Sequence, residues 1–424
     1  MKILLTGGGT GGHVFPLIAI AEELNRIADE DRILNMKLYY MSDTPYAPEL
    51  WEQQFVTFIP ISAGKLRVYF SFKNFIDIFK TFFGTIGALF KVFNLYPDVI
   101  ISKGGYAAFP VLVAAKLLRI PVIIHESDTV PGRVNIWSGK FAKRIALSYP
   151  EAVEYFDKAK VSITGQPVRK SLVYATRVGT KAFFDLDENI KTIGIFGGSQ
   201  GAKVINDVVT QLLPELLQKY QIIHQTGVSQ YEEVRTDASV ILRDNVTRTR
   251  FKPFATLNDL QTKMFGGACD LIISRAGSSL FEIAAWGVPS IVIPYAIAHG
   301  DHQRKNAYHY ARTGACTVIE EINLSSSVLR NQIEFILEHK DHYDAMQQHA
   351  KHFFKADAAR LIATEAVKFS LQHEKYYQYN DMFEFDKATW IRRSLALVAF
   401  SIWSLIIGHW WPLLLLVFFI KKAP

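Results

Sequence analysis

A glycine-rich loop near the start of the chain, set between an apolar run and a helical pattern, constrains the fold most. Residues 3–5 are apolar, and five glycines lie between Gly7 and Gly12. Apolar residues then recur at helical spacing up to Leu24. A short apolar run bounded by glycine is typical of a buried parallel strand, and the free N–H groups at a helix N-terminus bind anions. The stretch therefore predicts a strand, an anion-binding loop and a helix, with His13 able to transfer a proton near neutral pH.

The same loop also fits a dinucleotide-binding pattern. Gly7, Gly9 and Gly12 satisfy G-x-G-x-x-G, which is the pattern of nicotinamide and flavin sites. The acid that binds the ribose normally follows after about 20 residues, whereas Asp43 follows only after about 30. A nicotinamide or flavin site therefore stands as an alternative.

Short strand-like runs alternate with helical or polar stretches along the first part of the chain. After the first helix they read LYYMS, VTFIP, DVIIS, PVIIH, RIALS and VSITG. This alternation predicts a doubly wound parallel sheet. The opening design recurs in residues 192–213, where an apolar strand, a glycine-rich loop and an amphipathic helix follow one another. The predicted fold class is therefore α/β, with two Rossmann-like domains facing each other across a cleft.

Residues that follow the strands are the candidates for a ligand site, because ligands of parallel sheets bind beyond the carboxyl ends of the strands. Ser278 and Ser279 stand at the start of a helix and favour a bound diphosphate. Glu282 is placed to accept from a ribose hydroxyl, or to complement the helix dipole. Gln303 and Asn306 lie one helical turn apart, which indicates either a sugar contact or a helix cap.

Composition limits the classes of partner. The chain has 424 residues and a formal net charge of +7, which allows two domains and suits anionic ligands or an anionic membrane. The sequence lacks nucleic-acid-binding motifs, so no nucleic-acid partner is expected. Cys269 and Cys316 lie in apolar stretches and are predicted core residues. Asp185 and Asp187 form a D-x-D in a predicted loop, where no metal site is expected.

An uncharged apolar segment near the C-terminus predicts membrane residence. Residues 394–420 run for 27 residues without Asp, Glu, Lys or Arg. A helix of that length reaches about 40 Å, more than the hydrocarbon core of roughly 30 Å. A tilted single span and a re-entrant hairpin that turns between Gly408 and Pro412 both fit this length.

A second stretch, residues 66–93, combines many phenylalanines with Lys73, Lys80 and Lys91. A helix that packs through one side and dips the other into an anionic membrane would have this composition. Two ordinary core helices with long aromatic side chains would also have it. Both interpretations stay open at this point.

The order of the motifs resembles that of the MurG family of glycosyltransferases. The chain contains, in sequence, GGTGGHVFP, KGGY, HESDTVPGRVN, TGQPVR, GGSQGAK, HQTG, SRAGSSLFEIAAWGVPSIVIP and DHQRKNA. The resemblance implies a GT-B fold with an acceptor domain followed by a donor domain. The predicted bounds are 1–165 for the acceptor domain, 166–355 for the donor domain, 356–375 for a closing helix, 376–393 for a linker and 394–420 for a hydrophobic membrane segment.

The resemblance also implies the reaction. An inverting, metal-independent transfer is expected, from UDP-N-acetylglucosamine to the 4-hydroxyl of N-acetylmuramic acid in undecaprenyl-linked lipid I, giving lipid II for peptidoglycan synthesis. No cofactor is expected. The implied partners are the two substrates, an anionic membrane and cell-wall synthesis proteins. The implied place is the cytoplasmic side of the cell membrane, with the hydrophobic segment as an anchor.

Site residues are predicted partly from matched positions in the family and partly from the residues that follow the strands. The predicted catalytic residues are His13, as the base for the attacking hydroxyl, and Glu282. The predicted substrate-binding residues are Thr10, Gly11, Gly12, Gly104, Gly105, Tyr106, Asp128, Arg169, Ser199, Gln200, Phe254, Ser278, Ser279, Leu280, Gln303 and Asn306.

Three features depart from the family pattern. Asp128 stands where the family generally has asparagine, which removes an amide donor. The turn before Glu282 is one residue shorter than usual, so contacts there are expected to shift. The terminal apolar segment is not part of the usual pattern.

Three alternatives remain beside this prediction. One is a glycosyltransferase of the same fold that acts on another membrane lipid, such as diacylglycerol. Another is a nicotinamide oxidoreductase. The third is a membrane-anchored protein that binds the sugar nucleotide without catalysing its transfer.

Overall fold

Two parallel β-sheets, formed one after the other along the chain, are the framework of the protein. The computed structural model describes residues 1–9, 11–64, 72–173, 177–198 and 201–380. Met1–Ser370 form one unit, and a second unit begins at Leu371. The predicted site residues Thr10, Ser199 and Gln200 lie outside the described residues.

The first sheet is built from the first part of the chain. Its strands are β1 (Lys2–Gly7), β2 (Lys37–Ser42), β3 (Val56–Pro60), β4 (Val99–Gly104), β5 (Val122–Glu126), β6 (Arg144–Leu147) and β7 (Val161–Ile163). They pair in parallel in the order β3-β2-β1-β4-β5-β6-β7. Ile3 in β1 pairs with Leu38 on one side and Val99 on the other. The predicted strand runs are therefore confirmed, and the buried apolar runs reflect a sheet covered on both faces.

The second sheet repeats this design. Its strands are β8 (Thr192–Phe196), β9 (Gln221–Gln225), β10 (Phe251–Phe254), β11 (Leu271–Ser274), β12 (Ser290–Val292) and β13 (Cys316–Val318). They are parallel, in the order β10-β9-β8-β11-β12-β13. In both sheets the strand order reverses beside the first strand, between β1 and β4 and between β8 and β11. Such reversals open a crevice at the carboxyl ends of the strands.

Helices connect the strands and cover the sheets. In the first part of the chain they are α1 (Gly11–Glu30), α2 (Pro48–Gln53), α3 (Phe72–Leu95), α4 (Phe109–Leu117), α5 (Arg133–Gly139), α6 (Lys170–Val173) and α7 (Thr180–Phe183). They continue as α8 (Lys203–Lys219), α9 (Tyr231–Ile241), α10 (Asp259–Ala268), α11 (Ser279–Trp286), α12 (His302–Arg312), α13 (Ser326–Glu338), α14 (Lys340–Phe353) and α15 (Ala358–Asn380). Short 3₁₀ helices lie at Tyr106–Ala108, Pro150–Tyr155, Lys158–Lys160, Val228–Gln230, Arg248–Arg250, His299–Asp301 and Glu321–Asn323.

Local sequence signals explain several helix ends. Asn258 accepts from the backbone N–H of Gln261, whose side chain accepts from Asn258 in return, so a capping box starts α10. Gly287 ends α11 with a φ of 65°, which a glycine adopts without strain. These signals set where the helices begin and end relative to the strand ends.

Each sheet has an apolar core on either face. Ile3 and Leu5 of β1 pack with α1 on one face of the first sheet, and Leu4 packs on the other face. Ile362 of α15 belongs to the first of these cores, so the chain returns to its first domain after completing the second. Cys269 and Cys316 are buried in the second domain, as predicted.

The predicted fold class included a C-terminal membrane segment, and that part is corrected. A spanning helix needs about 20 consecutive, mostly apolar residues. Among the described residues, no helix combines the length and the apolar character needed to cross a bilayer. Residues 394–420 themselves lie outside the described residues. The fold class is the α/β arrangement of two Rossmann-like domains.

Candidate active site

A cleft of about 1180 Å³ lies at the carboxyl ends of the strands of both sheets. Its first wall comes from the residues after β1, β4 and β5, and its second wall from the residues after β8 and β11. The strand order reverses between β1 and β4 and between β8 and β11, which places the ligand crevice beside these strands. Ten of the predicted site residues line this cleft: Gly11, Gly12, His13, Gly105, Asp128, Arg169, Ser278, Ser279, Glu282 and Gln303.

His13 lies in the first turn of α1 and faces the cleft, where its side chain is partly exposed. Gly105 lies against its imidazole: a Cβ at Gly105, where φ is 80°, would lie 3.3 Å from Cδ2 of His13. Burial and the charge of Lys103 lower the pKa of His13 to about 4, although the charge of Asp128 opposes the shift. The imidazole is therefore neutral at pH 7 and can accept a proton.

Lys103 and Glu126 are buried ionisable residues of the first wall whose charges interact, and the predicted site set did not include them. Lys103 is 2% exposed, and its Nζ donates to Oγ of Ser127 at 2.8 Å. Burial lowers the pKa of Lys103, while Glu126 and Asp128 raise it. Both residues stand at strand ends, Lys103 in β4 and Glu126 in β5. Their position directly after the apolar runs DVIIS and PVIIH is the sequence signal that could have found them.

The carboxylate of Glu126 organises the loop that follows β5. It accepts from the backbone N–H groups of Ser127, Asp128 and Gly132 at 2.8, 3.1 and 3.0 Å, and from Nδ2 of Asn135 at 2.8 Å. Burial raises the pKa of Glu126 and Asp128 adds to this effect, whereas Lys103 and the donated hydrogen bonds oppose it. The loop that carries Asp128 is therefore held in place beside the cleft.

Arg169 and Glu282 meet on the other side of the cleft. The guanidinium of Arg169 is buried, pairs with Asp259 and lies 4.2 Å from the ring centre of Phe15. Its Nη2 is 3.9 Å from Oε1 of Glu282. Burial raises the pKa of Glu282, while the charge of Arg169 opposes that shift and Asp259 adds to it. Glu282 therefore presents a carboxyl group to the cleft with a cation close behind it.

Hydroxyl and amide groups line the second wall. Ser279 begins α11, and its Oγ lies 3.3 Å from Oγ of Ser274 at the end of β11. Ser278 precedes it at the same helix N-terminus, where the helix dipole favours an anion. Oε1 of Gln303 accepts from the backbone N–H of Tyr295 at 3.0 Å.

An ion pair next to these residues was also missed from the sequence. Nη2 of Arg275 donates to Oε1 of Glu321 at 2.9 Å, and its guanidinium lies 5.4 Å from the ring centre of Tyr295. The second carboxylate oxygen of Glu321 accepts from the backbone N–H of Ala296 at 3.0 Å. Arg275 directly follows the apolar run LIIS, but Glu321 is far along the chain, so only the fold brings the two together.

Five predicted residues are not among those that line the cleft. Gly104 packs against Asn135, and the hydroxyl of Tyr106 donates to Oδ2 of Asp43 at 2.6 Å. The ring of Phe254 packs edge-on against Phe184. The two others are buried: Leu280 in the core of the second domain and Asn306 between the two domains.

The described residues contain no group of three or more His, Cys, Asp or Glu side chains arranged to hold a metal ion. Asp185 lies 3.8 Å from Nζ of Lys252. Oδ1 of Asp187 accepts from the backbone N–H of Asn189 at 2.8 Å. The two acids of the D-x-D therefore contact different neighbours.

Both domains that form this cleft match known glycosyltransferase domains. Residues 3–147 match the glycosyltransferase family 28 N-terminal domain, and residues 192–362 match its C-terminal domain. A UDP-N-acetylglucosamine–N-acetylmuramyl-(pentapeptide) pyrophosphoryl-undecaprenol N-acetylglucosamine transferase of Thermodesulfovibrio yellowstonii is 36% identical over 370 residues, 85% of this chain and 97% of that protein. A protein of the same name from Borrelia hermsii is 33% identical over 372 residues, 87% of this chain and 96% of that protein.

A solved structure supports the same relationship. The crystal structure of MurG from Acinetobacter baumannii matches with a TM-score of 0.63 and 26% sequence identity. The match covers 87% of this chain and 99% of that chain. Both domains of the described fold therefore have a counterpart in it.

Proposed function

The chain belongs to glycosyltransferase family 28, and we propose that it transfers N-acetylglucosamine from UDP-N-acetylglucosamine to lipid I. The acceptor is the 4-hydroxyl of N-acetylmuramic acid, and the product is lipid II for peptidoglycan synthesis. The observation that carries this proposal is the 36% identity over 97% of a relative named for this transfer. Family membership removes the nicotinamide oxidoreductase alternative.

The chemistry of the first wall suits the attack of a hydroxyl group. In the proposal, the neutral imidazole of His13 accepts the proton of the acceptor hydroxyl as its oxygen bonds to the anomeric carbon. The bond from that carbon to the UDP oxygen breaks at the same time, on the opposite face. In-line displacement inverts the anomeric carbon and yields a β-linkage.

The second wall suits the nucleotide. Ser278 and Ser279 stand at the N-terminus of α11, where hydroxyl groups, backbone N–H groups and the helix dipole stabilise the charge that develops on the leaving diphosphate. Glu282, one turn further along α11, would accept from a ribose hydroxyl. Gln303 at the start of α12 would contact the transferred sugar.

We further propose that α3 rests on the membrane that holds the lipid acceptor, at its cytoplasmic face. Ala88 and Val92 are buried on one side of this helix. On the other side, Phe82 and Phe83 are 60% and 65% exposed. Aromatic residues on such a face suit insertion at the boundary between headgroups and acyl chains. Association with cell-wall synthesis proteins stays a prediction from the family resemblance.

Transfer of labelled N-acetylglucosamine tests the proposal directly. The full chain in detergent would be given labelled UDP-N-acetylglucosamine and a lipid I analogue, with a chelator present. A β-linked lipid product is expected. If the donor binds and only a different lipid, such as diacylglycerol, accepts the sugar, the acceptor assignment is wrong. If the donor binds and no lipid accepts the sugar, the chain is a binding protein.

A further inference from the structure

We propose that Asn306 is a positioning residue that holds the two walls of the cleft in the orientation that transfer requires. Its side-chain hydrogen bonds to Asp128 and Thr129 of the first domain are called the clasp below. The proposal rests on the proposed function, because it assigns a role in that reaction. It differs from the sequence-based expectation of a sugar contact or a helix cap. Asn306 is 1% exposed and lies in α12 of the second domain.

The side-chain amide of Asn306 uses its full hydrogen-bonding capacity inside the protein. Its Oδ1 accepts from the backbone N–H and from Oγ1 of Thr129, both at 2.9 Å. Its Nδ2 donates to Oδ1 of Asp128 at 2.9 Å and to the carbonyl of Ala276 at 3.1 Å. Three of these four bonds reach the first domain and one stays in the second. A sugar hydroxyl could join this amide only by displacing one of them.

The clasp connects the loop after β5 in the first wall to helix α12 in the second wall. On the first domain it holds the loop after β5, which Glu126 organises and which carries Asp128 near His13. On the second domain, α12 starts with His302 and Gln303 at the cleft. In the proposal, the clasp therefore sets the distance between His13, the proposed base, and Gln303, the proposed sugar contact at the start of α12.

A second contact lies on the same side of α12. Nδ1 of His309 and Nη2 of Arg312 both bind Oε1 of Glu151 in the first domain, at 2.6 and 2.8 Å. Burial tends to raise the pKa of Glu151, but the hydrogen bond from His309 and the charge of Arg312 bring it below its usual value. The ring of Tyr149 in the first domain also packs edge-on against His309, with centroids 5.0 Å apart. Asn306 and His309 lie three positions apart on one face of α12, and both contact the first domain.

The sharpest test exchanges the hydrogen-bond donor and acceptor between positions 128 and 306. Asn306→Asp would set a carboxylate against that of Asp128, and about a tenfold or greater loss of kcat is expected because buried acceptors would face each other unpaired. Asp128→Asn keeps an oxygen for Nδ2 of Asn306 and is the reference. The double variant restores the hydrogen bond between positions 128 and 306 but leaves the carbonyl of Ala276 without its donor, so its kcat should lie above that of Asn306→Asp alone and below that of the reference. A double variant no better than Asn306→Asp would overturn the clasp.

The split between KM and kcat separates a clasp from a sugar contact. If Asn306 positions the walls, the KM for UDP-N-acetylglucosamine should stay within about twofold in Asn306→Ala, because the donor residues of the second domain are untouched. If it held the sugar, that KM would rise with UDP affinity unchanged, and the proposal would be overturned. Lys305→Ala, on an exposed neighbour in α12, is the matched control and should change neither parameter.

Hydrogen exchange of the full chain in detergent tests the clasp independently of catalysis. In Asn306→Ala, the peptide with the Thr129 amide should exchange about tenfold faster, since that amide loses its acceptor. A peptide from β8 should be unchanged. Thr129→Val removes only the hydroxyl donor and serves if Asn306→Ala fails to fold, with a smaller increase expected. Unchanged exchange together with unchanged kcat would refute the clasp. A wild type that makes no lipid product would refute the proposed function, while the exchange result still decides the clasp.

Discussion

The two glycine-rich junctions, β1 to α1 and β8 to α8, have the same architecture but different chemistry. At the first, α1 begins at Gly11 and carries His13 beside Lys103 and Asp128. At the second, α8 begins at Lys203, an exposed ammonium that pairs with Asp207 and Glu233. One backbone design can therefore serve two tasks. Shielded ionisable groups suit the first junction to proton transfer, whereas glycines and a helix start suit the second to a phosphate group.

Removing the imidazole of His13 at the first junction should have the largest effect on the reaction. His13→Ala is expected to lower kcat by about 10²- to 10⁴-fold, the usual contribution of a general base. UDP affinity, measured by calorimetry, should stay close to that of the wild type because the proposed nucleotide site is on the other wall. Lys305→Ala, on an exposed residue of α12, is the control and should leave kcat unchanged. An unaffected kcat in His13→Ala would assign the base to another group.

Variants of Glu282 test the proposed ribose contact of the second wall. Glu282→Ala should raise the KM for UDP-N-acetylglucosamine by about 10- to 100-fold if the carboxyl group binds the ribose, since hydrogen bonds to charged groups contribute about 1.5–3 kcal/mol. Glu282→Gln keeps an acceptor oxygen and should lose less. Steady-state kinetics and UDP titration would measure both. Equal donor affinity in all three proteins would end the ribose assignment.

The pH dependence of kcat/KM should show the charge environment of the first wall. His13 must be neutral to act as a base, and its pKa is about 4, so activity should fall only as the pH drops toward that value. Lys103 lowers this pKa, so Lys103→Met should move the acidic limb to higher pH. Asp128 raises it, so Asp128→Asn should move the limb to lower pH.

Opposite movements of the acidic limb are the decisive outcome of that experiment. Melting temperatures of both variants should be taken first, because Lys103 is buried next to Glu126 and its loss leaves a buried carboxylate less compensated. If the limb moves in the same direction in both variants, or does not move in either, the limb reports a group other than His13.

The smallest effect is expected at the proposed membrane face. Phe82→Ser should weaken binding to anionic vesicles by about tenfold or less, because a partly inserted aromatic contributes part of the roughly 1.5–3 kcal/mol of full burial. Val246→Ser changes a side chain of the second domain that is 95% exposed and should have no effect. Flotation with vesicles measures both. Equal losses in the two variants would mean that α3 is not the contact face.

Much of the framework was predictable because it follows from local patterns. The apolar runs became strands, the glycine loops lie at the strand ends, and Cys269 and Cys316 are in the core. The candidate active site was predictable only in part. His13 stood out as an ionisable residue at a helix start, whereas Lys103 and Glu126 looked like ordinary charged residues after a strand. Their burial and the interaction between their charges depend on neighbouring strands, which the local pattern does not reveal.

The amino-acid sequence by itself determined the two-domain α/β architecture, several of the strand ends that line the cleft and the family to which the chain belongs. Periodicity and glycine placement are local properties, and motif order is directly visible. Tertiary structure alone decided that Asn306 lies between the domains, bonded to Thr129 from 177 positions earlier in the chain. It also decided that Arg275 meets Glu321. Such contacts depend on how distant segments pack, because a hydrogen bond forms only between groups that the fold brings within about 3 Å.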